Sequence, residues 1–225
     1  VRKRSILLLC VAGAVGLLSA VNLIFILRDY AAAQQEYDEL RAYAPAAAQA
    51  EPVQVYPRAE ASQTTAWGLS GINADYIGWI RIPGTAVDYP IVRGRDNEQY
   101  TNTTFAGERK RAGAIFMDWR CKEGFGGPFV ILYGHNMKSG SMFGSLKNYR
   151  RAEYQAAHPE ITITTASGET LIYRIREVRV TDVKDGIFAL ETEYSGRVLV
   201  LCTCVRGAGE DVRLVVVGLG EGSGQ

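Results

Sequence analysis

Residues 5–27, SILLLCVAGAVGLLSAVNLIFIL, run for 23 positions without a charge. As an α-helix rising about 1.5 Å per residue, the run reaches roughly 34 Å, enough to cross the ~30 Å hydrocarbon core of a bilayer. It is apolar on every face, unlike a helix that packs one stripe against a soluble core. It also exceeds the roughly 7–15-residue apolar region of a cleavable signal peptide, although Ala31-Ala32-Ala33 resembles a small-residue cleavage site. The sequence therefore predicts an uncleaved signal anchor. Arg2, Lys3 and Arg4 precede the run and a balanced Arg28-Asp29 follows it. That asymmetry predicts a cytoplasmic tail at residues 1–4, a transmembrane helix at 5–27, and a cell-membrane protein whose remaining chain lies on the extracytoplasmic side.

Beyond the run, the composition changes twice. Residues 29–44 are helix formers, polar on most faces, and predict a stalk helix leaving the membrane. Residues 45–66 hold three of the seven prolines and read as a linker, so 28–70 together form stalk and linker. Folded-domain character spans 71–221, and 222–225 is a tail. At 225 residues and 47% hydrophobic content, the chain supports one well-cored domain plus an appendage. With 25 basic against 24 acidic residues, no global field points to nucleic acid or to an acidic substrate.

The domain reads mainly as strands. Apolar runs and alternation predict strands at 77–82, 87–92, 114–117, 129–133, 161–165, 170–180, 198–203 and 212–218, separated by turn signals such as Pro83-Gly84 and Ser167-Gly168. Eight strands in this length suggest a sandwich or a closed barrel. Asn73 is a candidate cap for a turn at 74–78. Short helices are expected at 142–149 and 152–157, the second stopped by Pro159.

The chemistry concentrates at strand ends. The stretch VLCTC, residues 200–204, holds two of the four cysteines, the others being Cys10 and Cys121. Cys10 lies within the apolar run and is expected to pack there. A disulfide between Cys202 and Cys204 would close a very small, strained ring. A zinc site would need two further ligands at close spacing, so no metal is expected. Both cysteines could be buried small hydrophobes, which suits Cys202 better than Cys204, where the apolar run gives way to a polar loop. Arg213 opens the next strand, and a hairpin would bring it near Cys204. There it would favour a thiolate, or it is an ordinary strand-end arginine reaching solvent. His135 follows the run FVILY after Gly134. A histidine and a cysteine at two strand ends suggest Cys/His acyl transfer. His158, in a polar stretch before Pro159, reads as a surface histidine.

These residues carry a resemblance. VLCTC followed by VRLVVVG, with YGHNM upstream, resembles the sortase family, whose hallmark is Thr-Leu-x-Thr-Cys with a later strand arginine and an upstream histidine. IGWIRIPGTAVDYPIVRGRDNEQYTNTTFAGERKRAGAIFMD and ILYGHNMKSGSMFGSLKNY are similar to the class B type, and the resemblance covers about residues 71–219. It implies a mainly β fold, a closed eight-stranded barrel with short helices, preceded by the transmembrane helix. It implies a membrane-tethered transpeptidase without a cofactor. Such an enzyme cleaves a C-terminal sorting signal on secreted surface proteins and joins the new carboxyl to an amine of a peptidoglycan precursor. By that resemblance Cys204 is the nucleophile, His135 the general acid and base, and Arg213 the substrate-holding, oxyanion-stabilising group. Thr203, Tyr133 and Asn102 are implied substrate contacts. Two departures stand out. Val200 replaces the leading Thr, and only residues 184–196 separate the long sixth strand from the seventh, where class B members carry a longer, helix-containing segment.

Two other readings compete. An L,D-transpeptidase-like or protease-like cysteine enzyme has Cys204-Val205-Arg206 in its favour, but the Ser-His-Gly expected before that cysteine is here Leu201-Cys202-Thr203. The third reading is a non-catalytic anchored β-domain.

Overall fold

Alternation decides which residues form the sheet. In the stretch from Thr170 to Arg174, Leu171 and Tyr173 are buried while Thr170, Ile172 and Arg174 face outward, the period-two pattern of a strand with one face on a core. The computed structural model describes residues 2–45, 63–190 and 194–220 and contains eight strands. They are β1 (Tyr76–Arg81), β2 (Asp88–Val92), β3 (Ile115–Met117), β4 (Phe129–Tyr133), β5 (Glu160–Thr165), β6 (Thr170–Asp182), β7 (Val198–Cys204) and β8 (Val212–Gly220). They close into a barrel in the order β1-β2-β3-β4-β7-β8-β6-β5. The β2–β3 and β4–β7 pairs are parallel and the others antiparallel. Closure leaves no free sheet edge.

The barrel buries two apolar faces. Leu199 and Leu201 of β7, with Leu214 and Val216 of β8, belong to the main core beside Trp79, Ile91 and Phe143. The alternate residues Val198, Val200 and Cys202, with Val215 and Val217, form a second, smaller cluster capped by Ile187. Ile187 comes from the 3-10 turn Gly186–Ala189, so the short segment after β6 still covers this face. Asp185 caps that turn, accepting the Ile187 amide at 3.0 Å, and is itself held by Arg179 at 2.9 Å and the Thr181 hydroxyl at 2.6 Å.

Helices are few. The short helix expected at 142–149 is a 3-10 helix at Gly144–Arg150, and α3 (Ala152–Ala157) follows as expected. Asn73 serves a tighter turn than expected: its side chain accepts the Asp75 amide at 2.9 Å, and β1 begins at Tyr76. α2 (Gln63–Ile72) occupies residues whose composition reads partly as linker. Linker residues 46–62, residue 221 with the tail 222–225, and the side chain of Cys10 lie outside the described residues.

α1 (Arg2–Leu40) is one helix of 39 residues, followed by a 3-10 turn at Arg41–Tyr43. It is long and apolar enough to cross a membrane, and its side chains from 11 to 25 are exposed. Its polar continuation docks on the barrel. Ala33, Tyr37 and Leu40, spaced 4 and 3 apart on one helical face, are buried, as is Ala44 just past the 3-10 turn. The Tyr37 hydroxyl donates to the Gly113 carbonyl at 2.6 Å, and its ring meets Tyr89 edge-on at 5.3 Å.

Candidate active site

Strand direction gathers the three titratable candidates. β4 and β7 run parallel with Tyr133 opposite Cys202, so residues just past β4 lie beside the last residue of β7. β8 returns antiparallel with Arg213 opposite Cys204. His135, Cys204 and Arg213 thus meet at one end of three neighbouring strands. They line one cavity of about 390 Å³ with Tyr133, Cys202 and Thr203. Thr101, Asn97, Phe116, Val183 and Phe188 complete its walls.

The segment carrying His135 is stitched to the end of β7. The Gly134 amide donates to Cys202 O at 3.2 Å, Thr203 Oγ1 donates to Gly134 O at 2.7 Å, and Asn136 Nδ2 donates to Cys204 O at 2.8 Å. Gly134 is required by space: a Cβ there would lie 2.5 Å from Ile115 Cδ1 and 2.8 Å from Phe143 Cγ. His135 Nε2 lies 2.6 Å from the Thr101 carbonyl oxygen. A carbonyl only accepts, so Nε2 carries a proton and Nδ1 is the nitrogen available to exchange one. Arg213 Nη1 donates to Val212 O at 3.2 Å and to Glu210 O, which holds the guanidinium at the mouth of the β7–β8 loop.

The two cysteines of β7 differ. Both are free thiols. Cys202 is 1% exposed, and burial pushes its thiol up to about 12, a rise that nearby Arg213 opposes and Cys204 reinforces. It is a neutral packing residue at neutral pH. Cys204 is exposed at the strand terminus.

Behind the cavity sits a buried carboxylate. Asp118 accepts Arg120 Nη2 at 2.7 Å, Arg120 Nε at 2.9 Å, Tyr133 OH at 3.0 Å and Asn97 Nδ2 at 3.1 Å. Burial alone would raise its pKa, but the Arg120 guanidinium and amide together with Asn97 outweigh burial and hold the carboxyl below its usual range. Arg120 Nη2 also donates to Phe188 O at 2.9 Å, tying the segment after β6 to the barrel. Asn97 O accepts the Thr101 hydroxyl at 3.0 Å, so the network reaches the carbonyl that meets His135.

Among the expected substrate contacts, Thr203 and Tyr133 line the cavity, whereas Asn102 is exposed and its neighbour Thr101 takes the cavity position. His158 lies away from the cavity, its Nδ1 2.9 Å from Pro83 O and its ring packed 4.5 Å from Tyr154. Arg206 donates to Asn136 O and does not line the cavity. Thr101, Asn97, Asp118 and Phe188 were not singled out from sequence. Thr101 acts through its backbone, and Asp118 and Phe188 gain their positions only when the barrel closes.

Barrel order and site define a class of protein: a closed β-barrel presenting a cysteine, a histidine and an arginine at the ends of adjacent strands. Residues 80–220 match the family model described as the Sortase domain, more than half of the chain. The chain belongs to the sortase family, class B type. It is similar to Sortase B of Listeria monocytogenes, 38% identical over 126 residues, covering 56% of this chain and 50% of that protein. The chain spans about half the length of the curated relatives it matches. Among solved structures, it resembles a Streptococcus pyogenes class B sortase involved in pilus biogenesis, at 30% identity and a TM-score of 0.61 over 68% of this chain and 96% of that one. A mutant form of Clostridium perfringens sortase B, at 24% identity, shares the fold with a TM-score of 0.70 over 84% of this chain and 98% of that one.

Proposed function

We propose that this chain is a membrane-anchored transpeptidase that cleaves a C-terminal sorting signal of secreted proteins. It then joins the new carboxyl to a cell-wall amine. The observation that supports this reading most is the convergence of Cys204, His135 and Arg213 on one cavity from three strands. Cys204 Sγ attacks the carbonyl carbon of the signal's threonine, and its thiol proton passes to His135. Arg213 swings from its loop carbonyls to donate to the oxyanion that forms. As the amide C–N bond breaks, His135 returns the proton to the leaving amine, and a thioester remains on Cys204. An incoming amine loses its proton to His135, attacks the thioester carbonyl and frees the thiol. Thr203 and Tyr133 line the substrate groove. The amine comes from a peptidoglycan precursor. α1 is the anchor, with residues 1–4 cytoplasmic and the 71–221 domain outside, close to a lipid-linked acceptor.

The test uses the full chain in detergent with a panel of sorting-signal peptides and an amine acceptor. One peptide should give a joined product. His135→Ala is expected to lower the rate about 10²–10⁴-fold, and Arg213→Ala about 10²–10³-fold. His158→Ala and Arg206→Ala should stay within about threefold of the parent, since neither side chain lines the cavity. If Arg206→Ala costs more than Arg213→Ala, the arginine assignment is wrong.

A further inference from the structure

A basic loop is fastened to α1 where its apolar run ends. The Arg111 amide donates to the Asp29 carboxylate at 3.2 Å, and the Ala106 amide donates to Glu36 at 2.9 Å. Tyr37 donates to Gly113 O at 2.6 Å. Asp29 lies two residues past Leu27, a rise of about 3 Å along the helix, while one headgroup layer is about 5–7 Å deep. The Arg111 end of the loop is therefore held at headgroup height, and its Ala106 end, at Glu36, sits about 10 Å further along the helix.

The side chains there are mostly cationic. Arg28, Arg109, Arg111 and Lys138 are exposed, and none has an ion-pair partner among the described residues. Lys110 pairs with Glu108 at 3.3 Å. Lys138 belongs to the loop after His135, which faces α1 across a cavity of about 200 Å³ lined by Tyr30, Gln34, Met137 and Ser139. The carboxylates that touch this loop among the described residues are Asp29, Glu36 and Glu108. The first two carboxylates are engaged by backbone amides and the third by Lys110.

We infer that this edge binds the anionic phospholipid headgroups of the bilayer that α1 enters, seating the barrel against the membrane. The inference rests on the reading of α1 as an anchor. Each Lys or Arg near an anionic surface gains attraction that fades within a Debye length, ~8 Å at physiological salt. The bond to Asp29 keeps Arg111 inside that reach. The same stretch of chain supplies the Thr101 carbonyl to His135, so seating the loop also sets the height of the cavity above the lipid.

To test this, the full chain is reconstituted in nanodiscs of phosphatidylcholine alone and in discs that also contain phosphatidylglycerol. Arginines are modified with phenylglyoxal and lysines with an acylating reagent, and each residue is read by mass spectrometry. In the anionic discs Arg109, Arg111 and Lys138 should react at least about threefold more slowly. The difference should vanish near ~1 M salt. Arg176 and Lys184, exposed on and just after β6, should not change. Arg109→Glu with Arg111→Glu should erase the slowing at Lys138. Equal reactivity in both kinds of disc overturns the basic edge and leaves the anchor standing. Failure of the chain to travel with discs of either kind overturns the anchor, and this inference with it.

Discussion

At the scale of single residues, surroundings separate chemically identical groups. Cys202 and Cys204 stand two positions apart on one strand, yet the first is buried with a thiol pushed up to about 12 and the second opens to solvent. Asp118 shows the converse: a fully buried carboxyl whose donors keep it ionised. Because its folded pKa lies below the ordinary ~3.9, its contribution to stability is complete above that value and is lost as pH falls through the lowered one. Asp118→Asn leaves Arg120 without its counter-charge and is expected to cost about 3 kcal/mol at neutral pH. Denaturant unfolding should show that deficit constant from about pH 7 to 5 and shrinking below about pH 3, where the parent also loses the charge. A deficit unchanged in acid would mean that Asp118 acts through shape alone. His135 and Cys204 stood out in the sequence because each is a rare type at the edge of an apolar run, whereas Arg213, one of many arginines, was marked mainly by the family resemblance. Thr101 was not legible, since a backbone carbonyl has no sequence signature, and expectation settled on its neighbour Asn102 instead.

At the scale of elements, the segment between β6 and β7 matters more than its length suggests. Ile187 seals the outer face of β7 and β8, while Val183 and Phe188 wall the cavity. Asp185 and Arg120 pin the segment from opposite sides. Asp185→Ala removes the cap and the bonds to Arg179 and Thr181. It is expected to cost about 1–2 kcal/mol and to raise KM for a cleaved sorting peptide more than it lowers kcat. An unchanged KM would show that the segment does not shape the groove. The strands themselves were readable to within one or two residues at most ends, because alternation and turn residues mark them locally. What β6 could not announce is that it pairs with β5 through its first half and with β8 along most of its length, a property of closure.

At the scale of the whole molecule, stalk and barrel are joined. The stalk sequence reads as polar on most faces, yet Ala33, Tyr37 and Leu40 form a buried stripe whose significance appears only once Tyr89 and Gly113 are beside it. Cutting the chain near residue 66 would expose that stripe's partners on the barrel, Tyr89 and Gly113 among them. The proposed function requires that this assembly hold one thiol, Cys204, ready for acyl transfer. Its most direct test is to incubate the full chain with a cleaved sorting peptide in the absence of amine acceptor and to locate the trapped acyl group by fragment-ion mass spectrometry. The adduct is expected on Cys204, present in Cys202→Ala and absent in Cys204→Ala. An adduct on Cys202, or one that survives Cys204→Ala, would contradict it.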